Sequence, residues 1–192
     1  MTPREASPWR WVPTLYFTEG LPYVSVMALS VVFYKNLGVG NAELALTTSW
    51  LYLPWVIKPL WSPLVDLTGT KRAWILGTQA LLGLGFILLM LSTPTTAFFR
   101  LTLAAFWVAA FASATHDIAA DGFYLLALPE KRQAAFVGLR SAFYRAAMIA
   151  GQGGLLLLVG RLTERTGDPR RAWMLVFGLL AAFFLAASAW HR

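Results

Sequence analysis

Long apolar runs recur along this chain, and no other feature restricts its fold as strongly. A bilayer's hydrocarbon core is about 30 Å thick and takes roughly 20 apolar residues as a helix. In lipid, the backbone satisfies its own hydrogen bonds only in helices or closed barrels. Six spans can be drawn, at about 12–34, 45–65, 73–92, 98–127, 134–160 and 172–190. The breaks between them carry turn and helix-end residues: "KNLGVGNAE", "DLTGTKR", "STPTT", "LPEKRQ" and "RLTERTGDPRR". Only 13% of residues are charged, against about 25% in a soluble domain, which excludes an ordinary globular core. The predicted fold class is therefore an all-α membrane protein, with residues 1–192 forming one six-helix domain.

The net charge of +7 does not point to nucleic acid, because most Lys and Arg lie between the apolar runs. There they orient helices and meet lipid headgroups. The N-terminal "MTPREASPWRW" is polar and leads straight into a full-length span, which reads as an uncleaved first helix rather than a signal peptide. With the N-terminus inside, Arg4, Arg10, Lys71, Arg72, Lys131, Arg132 and Arg192 are cytoplasmic, while Lys35 and Arg100 are outside. Arg161, Arg165, Arg170 and Arg171 fall outside too and break the rule. The first helices usually dominate insertion, so a cytoplasmic N-terminus is expected.

Chemistry is concentrated where lipid disfavours it. An ionisable group deep in a membrane costs ~2.5–3.5 kcal/mol on insertion scales, so it should face protein or a water-filled cavity. The first span carries Glu19, the second Lys58, the fourth His116, Asp117 and Asp121, and the fifth Arg140, Arg145 and the amide of Gln152. The third has only Thr78 and Gln79, and the sixth has no charge. Each set of three spans thus runs acid, base, neither. That pattern predicts a 3+3 inverted repeat, with the third and sixth helices outermost and the other four around a polar site.

Depth and phase agree. At 1.5 Å per residue, Glu19, Lys58, Asp121 and Arg140 lie roughly 10 Å from the cytoplasmic helix ends, and Asp117 and Arg145 about 15–18 Å. Ser113, His116, Asp117, Ala120, Asp121 and Tyr124 have the spacing of one helical stripe. Ser141, Arg145, Met148 and Gln152 form a second, and Trp50, Pro54, Lys58 and Trp61 a third. Pro22 interrupts the first span; Pro54, Pro59 and Pro63 interrupt the second.

"SPLVDLTGTKR" resembles the cytoplasmic loop motif of the major facilitator superfamily, through Asp66, Gly69, Lys71 and Arg72. Ser62 stands where that family usually has Gly. "GLPYV" and "KPLWSPLVD", with "ATHDIAADGFY" and "YRAAM" around Tyr144, are similar to AmpG-type permeases and, in outline, to acetyl-CoA transporters. The resemblance implies a major facilitator fold and proton-driven uptake, with muropeptide as the AmpG-type cargo and Lys58, Asp117, Asp121 and Arg145 as intramembrane polar residues. Glu19, and the absence of a Lys after Asp121, depart from that pattern near the presumed cavity.

The expectation is a secondary transporter in a bacterial inner membrane, working on protons and a polar or anionic solute. Glu19, His116, Asp117 and Asp121 are the proton-coupling candidates. Lys58, Arg140, Arg145, Tyr144, Gln152 and Trp61 are the candidates for holding the solute, Arg through bidentate contact. Six spans make half of a twelve-helix fold, so a missing C-terminal half is an expected partner. A longer parent chain is the favoured source; a second copy or a separate chain are the alternatives. No Cys is present and His116 and His191 are the only histidines. A metal site, a cofactor or a catalytic set is therefore not expected. The competing reading is a non-transporting subunit or sensor whose charges only tie helices together.

Overall fold

A computed structural model describes residues 7–192; Arg4 of the orientation argument lies outside them. The described residues form an all-helical bundle, and five helices are long and apolar enough to cross a membrane. They are α1 (Pro8–Asn36), α5 (Lys71–Ser92), α6 (Phe98–Ala127), α7 (Glu130–Thr166) and α8 (Pro169–Trp190). Each overlaps a predicted span.

The second predicted span is not one helix. Residues 41–67 fold as α2 (Asn41–Thr48), a 3₁₀ turn, α3 (Leu53–Ile57), a second 3₁₀ turn and α4 (Ser62–Leu67). Proline is the reason. Pro54, Pro59 and Pro63 each occupy the first turn of a new piece, where a missing N–H and a fixed φ are tolerated. The same residues end the preceding piece. The segment nevertheless lies along α6: the Trp61 indole N–H donates to Thr115 Oγ1 at 3.2 Å, and its ring is 5.5 Å from Phe111.

Short sequence signals set the long helices. In "TGDPRR", Gly167 takes φ 67° and closes α7. Asp168 Oδ1 then accepts from the Arg170 N–H at 2.8 Å, and Pro169 opens α8. Thr70 caps α5 by accepting from the Ala73 N–H at 3.1 Å. α1 and α7 each contain a π-helical stretch, Ser25–Leu29 and Ala150–Leu155. The first follows Pro22; the second is built on "AGQGGL".

Two ends of the bundle can be identified from contacts. At one, the Trp11 and Phe123 rings are 5.0 Å apart, Thr14 meets His191 and the Lys71 stem lies against Gly122. At the other, Tyr34 Oη is 3.1 Å from Thr102 Oγ1 and Arg170 donates to the Thr93 carbonyl at 2.7 Å. Residues 41–67 run from the second end to the first. The main core is aromatic, with Phe33, Phe106, Trp173 and Phe177 mutually packed and fully buried.

α5 and α8 pack on one another: Phe86 stacks on Phe184 at 5.6 Å, and a Cβ at Gly83 would sit 2.7 Å from Leu185 Cγ. The outermost helix is α7, in which Ala147, Gly151 and Val159 are the buried residues. This differs from the expected layout, in which the third and sixth helices were outermost. Small residues let two apolar helices approach closely, whereas α7 carries its cations on an open face.

Candidate functional site

α1 and α7 run parallel and cross at very short range. A Cβ at Gly20 would lie 2.8 Å from the Tyr144 carbonyl and 3.0 Å from Ala147 Cβ. A Cβ at Gly151 would lie 2.2 Å from Val24 Cγ1. Tight crossings of this kind are built from small residues, and this one positions α7's cations beside the acids of α1 and α6.

Asp121 is the hub of the first cluster. Its Oδ1 pairs with Arg140 Nη2 at 2.7 Å and accepts from Tyr16 Oη at 3.2 Å. The Arg140 guanidinium carbon also sits 4.6 Å over the Tyr16 ring and 5.5 Å over that of Tyr124. α1, α6 and α7 are thereby joined at one point. One helical turn deeper, Lys58 Nζ lies 3.8 Å from Asp117 Oδ2, a Coulombic contact beyond hydrogen-bonding range.

Glu19 is buried at 7% exposure and lies within electrostatic reach of Asp117, Asp121, Arg140 and Lys58. The arrangement leaves polar atoms without partners. Glu19 Oε2, Asp117 Oδ1, Ser113 Oγ, Trp55 Nε1 and His116 Nδ1 are buried and unbonded among the described residues. Buried polar atoms are nearly always satisfied by protein or water. Three of these atoms, on Ser113, His116 and Asp117, lie within one turn of α6.

The stripe expected on α6 divides. Asp117 and Asp121 face the cations. His116, fully buried, faces α5, where its Nε2 is 3.1 Å from Gln79 Nε2. Gln79 also donates to Thr18 Oγ1 at 3.2 Å and accepts at Oε1 from His191 Nδ1 at 3.0 Å. Thr14 Oγ1 is 2.9 Å from His191 Nε2. One set of donors accounts for these contacts, leaving the buried His116 Nδ1 without a partner: Thr14 to His191, His191 to Gln79, Gln79 to His116 and Thr18, Thr18 to the Leu15 carbonyl. In that set both imidazoles are neutral, with their protons on Nδ1. Adjacent residues on a helix point about 100° apart, which is why His116 and Asp117 belong to different networks.

The other predicted residues divide between engaged and open. Trp61 is held by Thr115 and Phe111. Tyr144 packs its ring edge on Gly20. Arg145 and Gln152 are exposed on α7, and Arg145 makes no ion pair among the described residues. Tyr16, Trp55, Thr18 and His191 were not singled out from sequence. A tyrosine or threonine in an apolar span carries no signal until its neighbour on another helix is known.

The loop residues act together. Lys71 pairs with Asp66 and donates to the Val65 carbonyl at 3.1 Å, Gly69 takes φ 66°, and Arg72 donates through Nε to the His191 carbonyl at 3.1 Å. The turn therefore fastens α4 and α5 to α6 and to the end of α8.

The chain is 32% identical over 136 residues to the anhydromuropeptide permease of Escherichia coli strain K12, covering 68% of the chain and 26% of the relative. The permease of Escherichia coli O157:H7 gives the same values. The chain thus spans about a quarter of the length of these curated relatives, which are named as permeases and not as enzymes. Its five long apolar helices, together with these relatives, make it an integral membrane protein. The BT1 family profile matches residues 19–191, nearly the whole bundle, and the chain belongs to the BT1 family.

Proposed function

We propose that this chain is the N-terminal six-helix half of a major-facilitator-type secondary transporter. It takes up a polar or anionic solute with protons, and anhydromuropeptide is the leading candidate because the similar permeases carry that name. The observation that carries this reading is the set of buried, unpartnered oxygens on Glu19 and Asp117, facing Lys58 and Arg140 inside a membrane bundle. Acids without full hydrogen bonding in such a place have the chemistry to take up and release a proton. Glu19, Asp117 and Asp121 are the coupling groups in this reading. His116, engaged by Gln79, positions α6.

Lys58, Arg140 and Arg145 hold anionic groups of the solute, with Tyr144, Gln152 and Trp61 beside them. Residues 41–67 count as the second span, since they pass between the two bundle ends. Acid on the first and fourth spans, with base on the second and fifth, supports the 3+3 repeat. The open face of α7 supports a second six-helix half as partner. Left against lipid, Arg145 would cost ~2.5–3.5 kcal/mol. The cytoplasmic N-terminus, the bacterial inner membrane and the loop around Asp66 as a conformational lock complete the proposal.

Uptake into vesicles made with the full-length gene product tests it, with an imposed proton gradient and anhydromuropeptides, short peptides and acyl-CoA as solutes. Gradient-dependent uptake that is lost in Asp117→Asn and Asp121→Asn is the expected result. A second reading, helix ties in a non-transporting subunit, draws on the Asp121–Arg140 pair. Uptake unchanged in both variants, with folding intact, would establish that reading and remove the first.

A further inference from the structure

A groove of about 500 Å³ opens on the outer surface of the bundle between α1, α7 and α8. Its wall is hydrocarbon: Pro13, Phe17, Phe143, Phe183, Ala186 and Trp190. Three polar residues reach its floor, Thr14, Thr18 and His191. All three are already bonded inward, Thr14 with His191, His191 with Gln79, and Thr18 with Gln79 and the Leu15 carbonyl. Apart from the indole N–H of Trp190, the groove therefore offers a guest only apolar contact.

Its mouth has the opposite character. Arg192 follows His191 in the chain, Arg72 is hydrogen-bonded to the His191 carbonyl, and Arg10 lies one turn before Pro13. All three are exposed. Among the described residues none of the three makes an ion pair, and Asp66 is paired with Lys71. Trp190, 64% exposed, stands at the rim, as tryptophan does at the headgroup level of a bilayer.

We infer that this groove is a binding site for one anionic phospholipid, its acyl chain in the groove and its phosphate at Arg10, Arg72 and Arg192. An apolar slot beneath a cluster of cations suits a ligand with a hydrocarbon body and a negative head. A polar solute finds little to bond in the slot. A zwitterionic lipid fits the slot but gains less from the three arginines. This site is separate from the acids on α6 and does not depend on the transport reading.

Native mass spectrometry of the full chain, purified in detergent and titrated with phosphatidylglycerol or phosphatidylcholine, tests the inference. Phosphatidylglycerol adducts should survive activation that strips phosphatidylcholine. Arg10→Gln with Arg192→Gln should lower that preference about tenfold. Ala186→Trp fills the slot from an exposed position and should remove the adducts; Ala186→Leu, a smaller filling, should weaken them even if the Trp variant fails to fold. Equal retention of the two lipids by the unaltered protein overturns the inference. So do adducts unchanged in folded Ala186→Leu. Palmitate held as firmly as phosphatidylglycerol would make the slot a fatty-acid site and overturns it as well.

Discussion

Arg140 is held between a carboxylate and an aromatic face: its Nη2 is 2.7 Å from Asp121 Oδ1 and its guanidinium carbon 4.6 Å above the Tyr16 ring. A planar, delocalised cation meets both demands, and an ammonium does not. Arg140→Lys should therefore behave as a loss rather than a conservative change. With both side chains partly exposed, the expected destabilisation is about 1–2 kcal/mol. Tyr16→Phe, which removes one hydrogen bond to Asp121 and keeps the ring, should cost about 1 kcal/mol. Thermal unfolding in detergent reads both, and an Arg140→Lys melt equal to wild type would show that the stacking has no weight.

Asp117 should separate function from folding. Its partner Lys58 is 3.8 Å away and one of its oxygens is unbonded, so the carboxylate adds little to helix packing. Asp117→Asn should leave the melting temperature within a few degrees while gradient-driven uptake falls by at least about tenfold. A matched loss of stability and uptake would recast Asp117 as a structural tie.

The crossing of α1 and α7 should be intolerant of a single methyl group. Gly151→Ala places a Cβ 2.2 Å from Val24 Cγ1, and Gly20→Ala places one 2.8 Å from a backbone carbonyl. Overpacking of this kind costs about 1–3 kcal/mol. Gly153→Ala and Gly154→Ala, which would meet nothing within 4 Å, serve as controls on the same helix. Val24→Ala should restore Gly151→Ala, because it removes the atoms in the way. Detergent melts of the five variants and the double substitution check the order.

Acid should loosen the end of α8. Burial, with the nearby positive Arg72 second, lowers the His191 imidazole from its usual 6.5 to about 4. The folded state thus binds a proton less readily than the unfolded chain. Its stability contribution is complete above pH 6.5 and is lost progressively as the pH falls towards 4. The melting temperature should drop over that window in wild type and less so in His191→Gln. Parallel curves for the two proteins would show that His191 is not the group responsible.

Much of the fold could be read from one line of sequence because membrane helices are defined by length and apolarity, both local properties. The ends of α5, α6 and α8 came within about three residues for that reason, helped by signals such as "TGDPRR". The second span was misjudged in form. Hydropathy counts Pro54, Pro59 and Pro63 as ordinary members of an apolar run, although each one restarts the backbone. The site was partly legible. Charges in an apolar run announce themselves, so Glu19, Lys58, Asp121 and Arg140 were found. Helical phase alone placed His116 with Asp117, because a stripe is wide enough to include both. Only the position of α5 shows that they serve different neighbours. Tyr16 depends on a contact between distant helices and carries no local mark, and Gln79 stood out only as a polar residue of the third span.

Gln79 has one further consequence. An amide is a two-faced connector: it can present oxygen to one histidine and nitrogen to the other, never the same atom to both. The ring atoms that face it are consequently opposite in role: His191 presents a protonated Nδ1 and His116 a bare Nε2. If either ring reversed its role, the amide would have to turn over, and the far ring would then meet the wrong atom. The α8 end and the α6 interior are linked as a seesaw is, with Gln79 as the pivot.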